Sequence, residues 1–159
     1  MGMNVEATLA YGYDLGSMED FRAVQRGEYD SPDLPWFDPD DEDASFPDEA
    51  EKVLFASVGF TEEWTPASKD NGYYDRKKAA EQQIGVDFDY AGSHDYPAFV
   101  LYATGSKQSV DWAQTMTLDP NELMAPRPGW DAKLTAALAS LGITPTQAGP
   151  RWLVFPFYG

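Results

Sequence analysis

The sequence predicts an α+β fold: one domain built on an antiparallel or mixed sheet covered by about three helices. Three observations carry that expectation. Short runs alternating at period two occur near the beginning, the middle and the end of the chain, stretches of helical periodicity lie between them, and the two kinds do not alternate strictly. The 159 residues suffice for one core of ordinary size and leave a second full domain cramped, so residues 1–159 are read as a single unit. With 43% apolar and 24% charged residues, the composition is that of a folded chain and not of a disordered tail.

The elements follow in order. Val5, Ala7, Leu9, Tyr11 and Tyr13 alternate with Glu6, Thr8, Ala10 and Gly12, the pattern of a half-buried strand. From about 27 to 46 the chain reads as a long acidic, proline-rich surface loop, partly mobile, because Pro32, Pro35 and Pro39 deny regular structure. Ser45 followed by Asp48, with Pro47 in the first turn, opens a helix. Asp48, Glu49 and Glu51 sit near its positive end, Ala50, Val53, Leu54 and Val58 face inward, and Gly59 closes it. A second helix is predicted from about Tyr73 to Ile84, stopped by Gly85. Its Tyr73 and Tyr74 are expected to rest on the sheet, and Arg76, Lys77 and Lys78 form a solvated basic face that could pair with the acidic loop.

Val86, Phe88 and Tyr90, then Phe99, Leu101 and Ala103, then Val110 and Trp112 predict three strands, with Gly105-Ser106 as a hairpin turn between the last two. After Pro128-Gly129, the residues Trp130, Leu134, Ala137, Leu138 and Leu141 share one helical face that ends at Gly142 with Pro145 beyond. The tail from Trp152 to Tyr158 is apolar on both faces, as in a central strand. Pro156 cannot donate to a ladder, so the strand is expected to lie at an edge or to end before that residue.

Composition excludes several kinds of chemistry. Without cysteine and with one histidine, the chain offers no disulfide, no thiolate zinc site, no cysteine nucleophile and no multi-histidine metal cluster. Neither a targeting segment nor an apolar run of membrane-spanning length is visible, and a cytoplasmic protein with no membrane partner is expected. Acids number 27 against 11 bases, a balance that opposes direct binding of nucleic acid through a basic surface. The charge is also uneven. Residues 1–63 carry 17 acids and 3 bases, whereas residues 64–159 carry 10 and 8, and Asp38, Asp40, Asp41, Glu42, Asp43, Asp48, Glu49 and Glu51 follow one another without a base.

The words Ala7-Thr8-Leu9-Ala10-Tyr11-Gly12-Tyr13-Asp14-Leu15-Gly16, Asp95-Tyr96-Pro97, Trp130-Asp131-Ala132-Lys133-Leu134, Leu141-Gly142-Ile143-Thr144-Pro145 and Arg151-Trp152-Leu153 span most of the chain. In them the sequence resembles an uncharacterised family of small acidic proteins from actinobacteria and their phages. The resemblance implies a phage or high-GC bacterial setting; it implies no reaction and supplies no catalytic residue.

Among the local constellations, Asp38, Asp40, Glu42 and Glu49 fall at positions 1, 3, 5 and 12 of a calcium-loop window. Asp43 stands where the sharp turn needs glycine, so a solvated acidic loop is the expectation and no metal or cofactor is assigned. Ser93, His94 and Asp95 are neighbours in a turn, where a catalytic triad cannot easily assemble, and no phosphate-binding glycine word occurs. No catalytic residue is assigned, and the chain is read as a non-enzyme; a metal-assisted enzyme acting through the acidic loop is the least favoured of three readings. Trp36 and Phe37 lie beside the acid run, with Tyr29 and Phe46 flanking it; packing back on the core is favoured over docking into a partner.

The expected function is that of a phage or bacterial inhibitor acting by protein–protein binding. Its acidic surface would mimic nucleic acid and block a host nuclease or defence effector, of anti-CRISPR or anti-restriction type. The partner is then a host protein with a cationic surface, such as a nuclease or an RNA-guided complex. The expected contact residues are Trp36, Phe37, Asp38, Asp40, Asp41, Glu42, Asp43, Asp48 and Glu49. The alternative is a general regulator of a host factor that docks through the loop aromatics.

Overall fold

β1, Val5–Ser17, is the strand on which the rest is assembled, and the computed structural model describes residues 5–159. Its first half does not show the predicted one-faced alternation: Thr8, Leu9 and Ala10 are buried in succession, because the sheet covers both faces of the strand there. It turns back through the two-residue β2, Asp20–Phe21, which buries Phe21 completely. The loop that follows leads into α1, Phe46–Ser57, and a chain of short turns leads on to α2, Tyr73–Ile84. β3, Val86–Ser93, and β4, Pro97–Ala103, form an antiparallel pair; β5, Gln108–Asp111, the short α3, Pro120–Met124, α4, Pro128–Leu141, and β6, Arg151–Tyr158, complete the chain.

The sheet is mixed and rolls onto itself. β1 pairs antiparallel with β4 and with β6, β4 pairs with β3, and the end of β3 pairs parallel with the end of β6 at Gly92–Phe157 and Ser93–Tyr158. This closes a ring of four strands and gives the domain two separate apolar interiors. The larger lies between one sheet face and the helices. It joins Tyr13, Leu15, Phe99 and Leu101 to Phe46 and Leu54 of α1 and to Leu134, Leu138 and Leu141 of α4, the stripe predicted for the last helix. The smaller lies inside the roll, where Ala10, Val100, Tyr102 and Phe155 pack together. Burial there, reinforced by Asp87 and Asp89, pushes the Tyr102 phenol well above its ordinary pKa.

One glycine permits the close approach of strands in the ring, and a second permits the bulge at the far end of β1. Gly12 is flanked by β4 and β6 at once, and a Cβ there would lie 1.9 Å from the Leu101 carbonyl oxygen. Gly16 has φ +70° at the bulge where β1 changes register against β4.

Three further sequence expectations are corrected. Gly105-Ser106 is not a hairpin turn, because β5 does not pair with β4. It continues the line of β4 along the same side of β1, with Leu9 opposite Gln108 and Glu6 opposite Asp111. The break is bridged by a side chain: the fully buried Ser106 hydroxyl accepts from the Tyr11 amide at 3.0 Å and donates to the Ala103 carbonyl at 2.7 Å, replacing a missing rung. Trp112 lies beyond β5 and is exposed. The second concerns β6, which does not end before Pro156 but runs past it and meets the other alternative, an open edge at that residue. Only β1 flanks that residue, since β3 joins two residues from the strand's end, so the missing N–H falls where β6 is open on one side. Thirdly, Ser45 occupies the N-cap of α1 but its side chain makes no capping bond; Pro47 and the acids of the first turn remain to favour that helix start.

At the junction of β1, β6 and α4, the Tyr11 hydroxyl donates to Asp131 at 2.7 Å, and its ring meets Trp130 and Trp152 at centroid distances of 5.8 and 5.4 Å. Burial first, and then the bond to Asp131, push its pKa up to about 12.

Candidate functional site

The acidic loop is anchored from beneath. Short bridges between Arg26 and Pro32 and between Leu34 and Phe37 fold it back on itself, Leu34 and Phe37 are buried, and the Trp36 indole N–H donates to the Leu141 carbonyl at the end of α4 at 2.8 Å. Phe46, at the other end of the acid run, is 2% exposed and is surrounded by the rings of Phe21, Trp36, Phe37, Phe88 and Phe99, at 4.9 to 6.0 Å. The run is thus a short arch between two buried aromatics, Phe37 and Phe46, whose own rings meet edge to face at 5.2 Å.

Across that arch the aspartates organise their own backbone. The Asp38 carboxylate accepts from the Asp40 amide and the Asp41 carboxylate from the Asp43 amide, each at 3.0 Å, and the Asp41 and Ala44 amides donate to the carbonyls of Asp38 and Asp41. Two successive turns of this kind hold the loop in one course with its side chains in solvent. Asp38, Asp40, Asp41, Glu42, Asp43 and Asp48 are exposed, and none of them has an ion-pair partner among the described residues. Glu49 is half-buried and is neutralised by Lys52 at 2.6 Å.

The predicted contact set therefore divides. Its exposed carboxylates form one surface. Phe37 is excluded from any surface by burial, and the half-buried Trp36 is committed to Leu141, so both aromatics serve the core and a dock through them is corrected. Tyr29, the outer flanking ring, is 83% exposed. Asp38, Asp40, Glu42 and Glu49 do not converge: among the described residues no three or more carboxylate or imidazole groups surround a metal-sized point. His94 packs edge-on against Phe157 at 5.0 Å, while the Ser93 hydroxyl accepts from the Tyr96 amide, an arrangement that serves the turn.

A second acidic surface begins where the first ends. Asp48 and Glu51 on α1 border an open groove of about 590 Å³ between α1, the segment 60–64 and α2. Its floor is a chain of rings: Phe55 meets Phe60 at 5.2 Å and Phe60 meets Tyr73 at 5.6 Å. Trp64 donates to the Tyr74 hydroxyl at 2.9 Å, and Glu62 grips Arg76 through two bonds of 2.7 Å, which holds the Glu62 carboxyl below its ordinary pKa. Lys77 sits with its ammonium 5.8 Å above the Phe55 ring and 4.0 Å from Glu81. Arg76 and Lys77 thus face Glu62 and Glu81, not the 38–43 loop, and Tyr73 rests on Phe60, not on the sheet.

A smaller cavity of about 270 Å³ shares Asp48, Glu51 and Phe55 and runs on to Asp87 and Tyr90 of β3. In this crowded setting the Glu51 carboxyl is pushed up, by desolvation first and then by Asp48, Glu81 and Asp87, with Lys77 opposing. Sequence reasoning did not single out this groove. Its signal was the spacing of Phe55, Phe60, Trp64 and Tyr73 around Glu62 and Glu63, but no single period links residues on two helices and an irregular segment.

No protein-family model, curated protein or solved structure matches the chain. Among the described residues, no helix is long and apolar enough to cross a membrane.

Proposed function

We propose that the protein is an inhibitor from a phage or bacterium that works by binding another protein. It presents an acidic surface in place of nucleic acid and thereby blocks a nuclease or defence effector in the host cytoplasm, in the manner of anti-restriction or anti-CRISPR proteins. The observation that carries this reading is the arch from Asp38 to Asp43, five exposed carboxylates without a base, held in one course by buried rings and by its own backbone bonds. Duplex DNA presents about one charge per 1.7 Å of axis, and a cationic groove shaped for it attracts any surface with comparably dense carboxylates. A loop already ordered loses little conformational freedom on binding, which favours a tight complex. Such a protein needs no catalytic group.

The test is co-purification of the tagged chain from a host lysate across a salt series, in parallel with a variant carrying Asp40→Asn, Asp41→Asn, Glu42→Gln and Asp43→Asn. The expected result is recovery of a nucleic-acid-processing complex that is lost as salt rises and lost in the variant, because exposed charges are screened within a Debye length. A partner that withstands high salt and binds the variant equally well overturns the reading.

A further inference from the structure

The groove between α1 and α2 differs from the arch in kind: its carboxylates stand around aromatic rings. We infer that it is a receptor for lysine or arginine side chains on an extended basic segment of the protein partner, an inference that rests on the binding function proposed above and adds a second, chemically distinct contact to it.

The groove already holds one cation. Lys77 places its ammonium over the Phe55 ring with Glu81 beside it, an internal example of a cation seated between a π face and a carboxylate. The space around it is larger than one side chain needs, about 590 Å³; Lys52 is taken by Glu49, Lys77 by Glu81 and Glu62 by Arg76, which leaves Asp48, Glu51 and Glu63 on its walls without an ion-pair partner among the described residues. The surplus is negative, and an incoming cation completes it. The raised pKa of Glu51, which comes from desolvation first and then from Asp48, Glu81 and Asp87 against the opposing Lys77, agrees with this geometry.

The shape selects an extended peptide. The second cavity meets the first along Asp48, Glu51 and Phe55 and continues toward Asp87 on β3, so that two cationic side chains can enter side by side while the backbone crosses α1 between them. The walls are braced before any ligand arrives: Glu62 by Arg76, and Trp64 by the Tyr74 hydroxyl. Trp64 and Tyr74 remain 50% and 56% exposed at the mouth, where a methylene stem or a guanidinium plane can lie against them.

The test uses hepta-arginine amide as the probe, titrated calorimetrically at about 0.15 M salt, where long-range attraction is largely screened. Wild type is compared with a groove variant, Glu51→Gln with Glu63→Gln, with Phe60→Leu, which keeps the floor apolar but removes a ring, and with the arch variant Asp38→Asn, Asp40→Asn, Asp41→Asn, Glu42→Gln, Asp43→Asn. Near-ultraviolet circular dichroism checks that each is folded. Both groove changes are expected to weaken binding about tenfold, and the arch variant less than about threefold. A tryptophan fluorescence change on titration is expected to disappear in Trp64→Phe. If the arch variant loses as much as the groove variants, the peptide is held by the general field, and if neither groove variant changes affinity, the peptide does not occupy the groove; either result overturns the assignment. The mimicry reading is then still judged by co-purification alone. If spermine displaces the peptide at equal concentration and needs the same groove residues, the occupant is a small polyamine and the assignment to a peptide is overturned.

Discussion

The arch and the groove are both acidic and adjoin through Asp48, yet they are built in opposite ways. In the arch the aromatics are underneath: Phe37 and Phe46 are buried, and the carboxylates reach solvent. In the groove the aromatics form the floor and mouth, and several acids are opposed by bases, Glu62 by Arg76 and Glu81 by Lys77. The first offers charge without a shape for any one side chain; the second offers a shape with charge at its rim. The difference teaches that a run of acids has two distinct uses, set by whether the neighbouring rings are spent on the core or left open to a ligand.

The comparison is broken most severely at Phe46. Phe46→Ala opens a cavity where five rings meet and is expected to destabilise the protein by about 3–5 kcal/mol. Chemical denaturation measures the loss. A variant that unfolds at the wild-type midpoint would refute the placement of Phe46 as the arch's footing.

A gentler change separates the two regions. Trp36→Phe removes the indole donor to the Leu141 carbonyl and is expected to cost about 1 kcal/mol. Its effect is local: hydrogen exchange at the Asp40 and Asp43 amides quickens, while amides of α2 beside the groove keep their wild-type rates. Uniform acceleration across both regions would mean that the loop is not an independently anchored unit.

The smallest effect concerns Glu51. Its folded pKa lies above the ordinary glutamate value, so the native state holds the proton more tightly than the unfolded chain does. Stability therefore falls as pH rises from the unfolded value through the raised folded value, and stays lower above it. Glu51→Gln removes that contribution and is expected to flatten the pH–stability curve over this window and to raise the neutral-pH midpoint slightly. A steeper curve in the variant would reverse the sign assigned to Glu51, whose charged surroundings include Asp48, Glu81 and Asp87 with Lys77.

Much of the frame was legible because its signals are local. Gly85 ends α2 in a left-handed conformation at φ +66° and Gly142 does the same for α4 at φ +68°, so these helices stop where the glycines stand. Leu134, Ala137, Leu138 and Leu141 are buried as their spacing requires. The short α3 was not anticipated, although Asp119 caps it through the Asn121 amide at 2.9 Å and Pro120 follows in its first turn. The pairing of β5 was illegible for a different reason. Gly105-Ser106 looks like a turn between two strands, and only the arrival of Tyr11 from a distant segment gives the Ser106 hydroxyl an amide to accept from. The carboxylates of the arch could be named in advance, but the fate of Trp36 and Phe37 depended on Leu141 and Phe46 being close enough to take them.

By itself the sequence determined the α+β class, the ends of α2 and α4, the apolar stripe of α4, the missing cysteine chemistry and the concentration of acid before residue 64. Each of these follows from composition or from neighbours within a turn or two of chain. The tertiary structure alone decided that the sheet closes into a ring, that the loop aromatics turn inward, and that Phe55, Phe60, Trp64 and Tyr73 meet beneath a rim of carboxylates. Those outcomes depend on side chains far apart in sequence competing for the same buried volume, a contest settled only when all the elements pack at once.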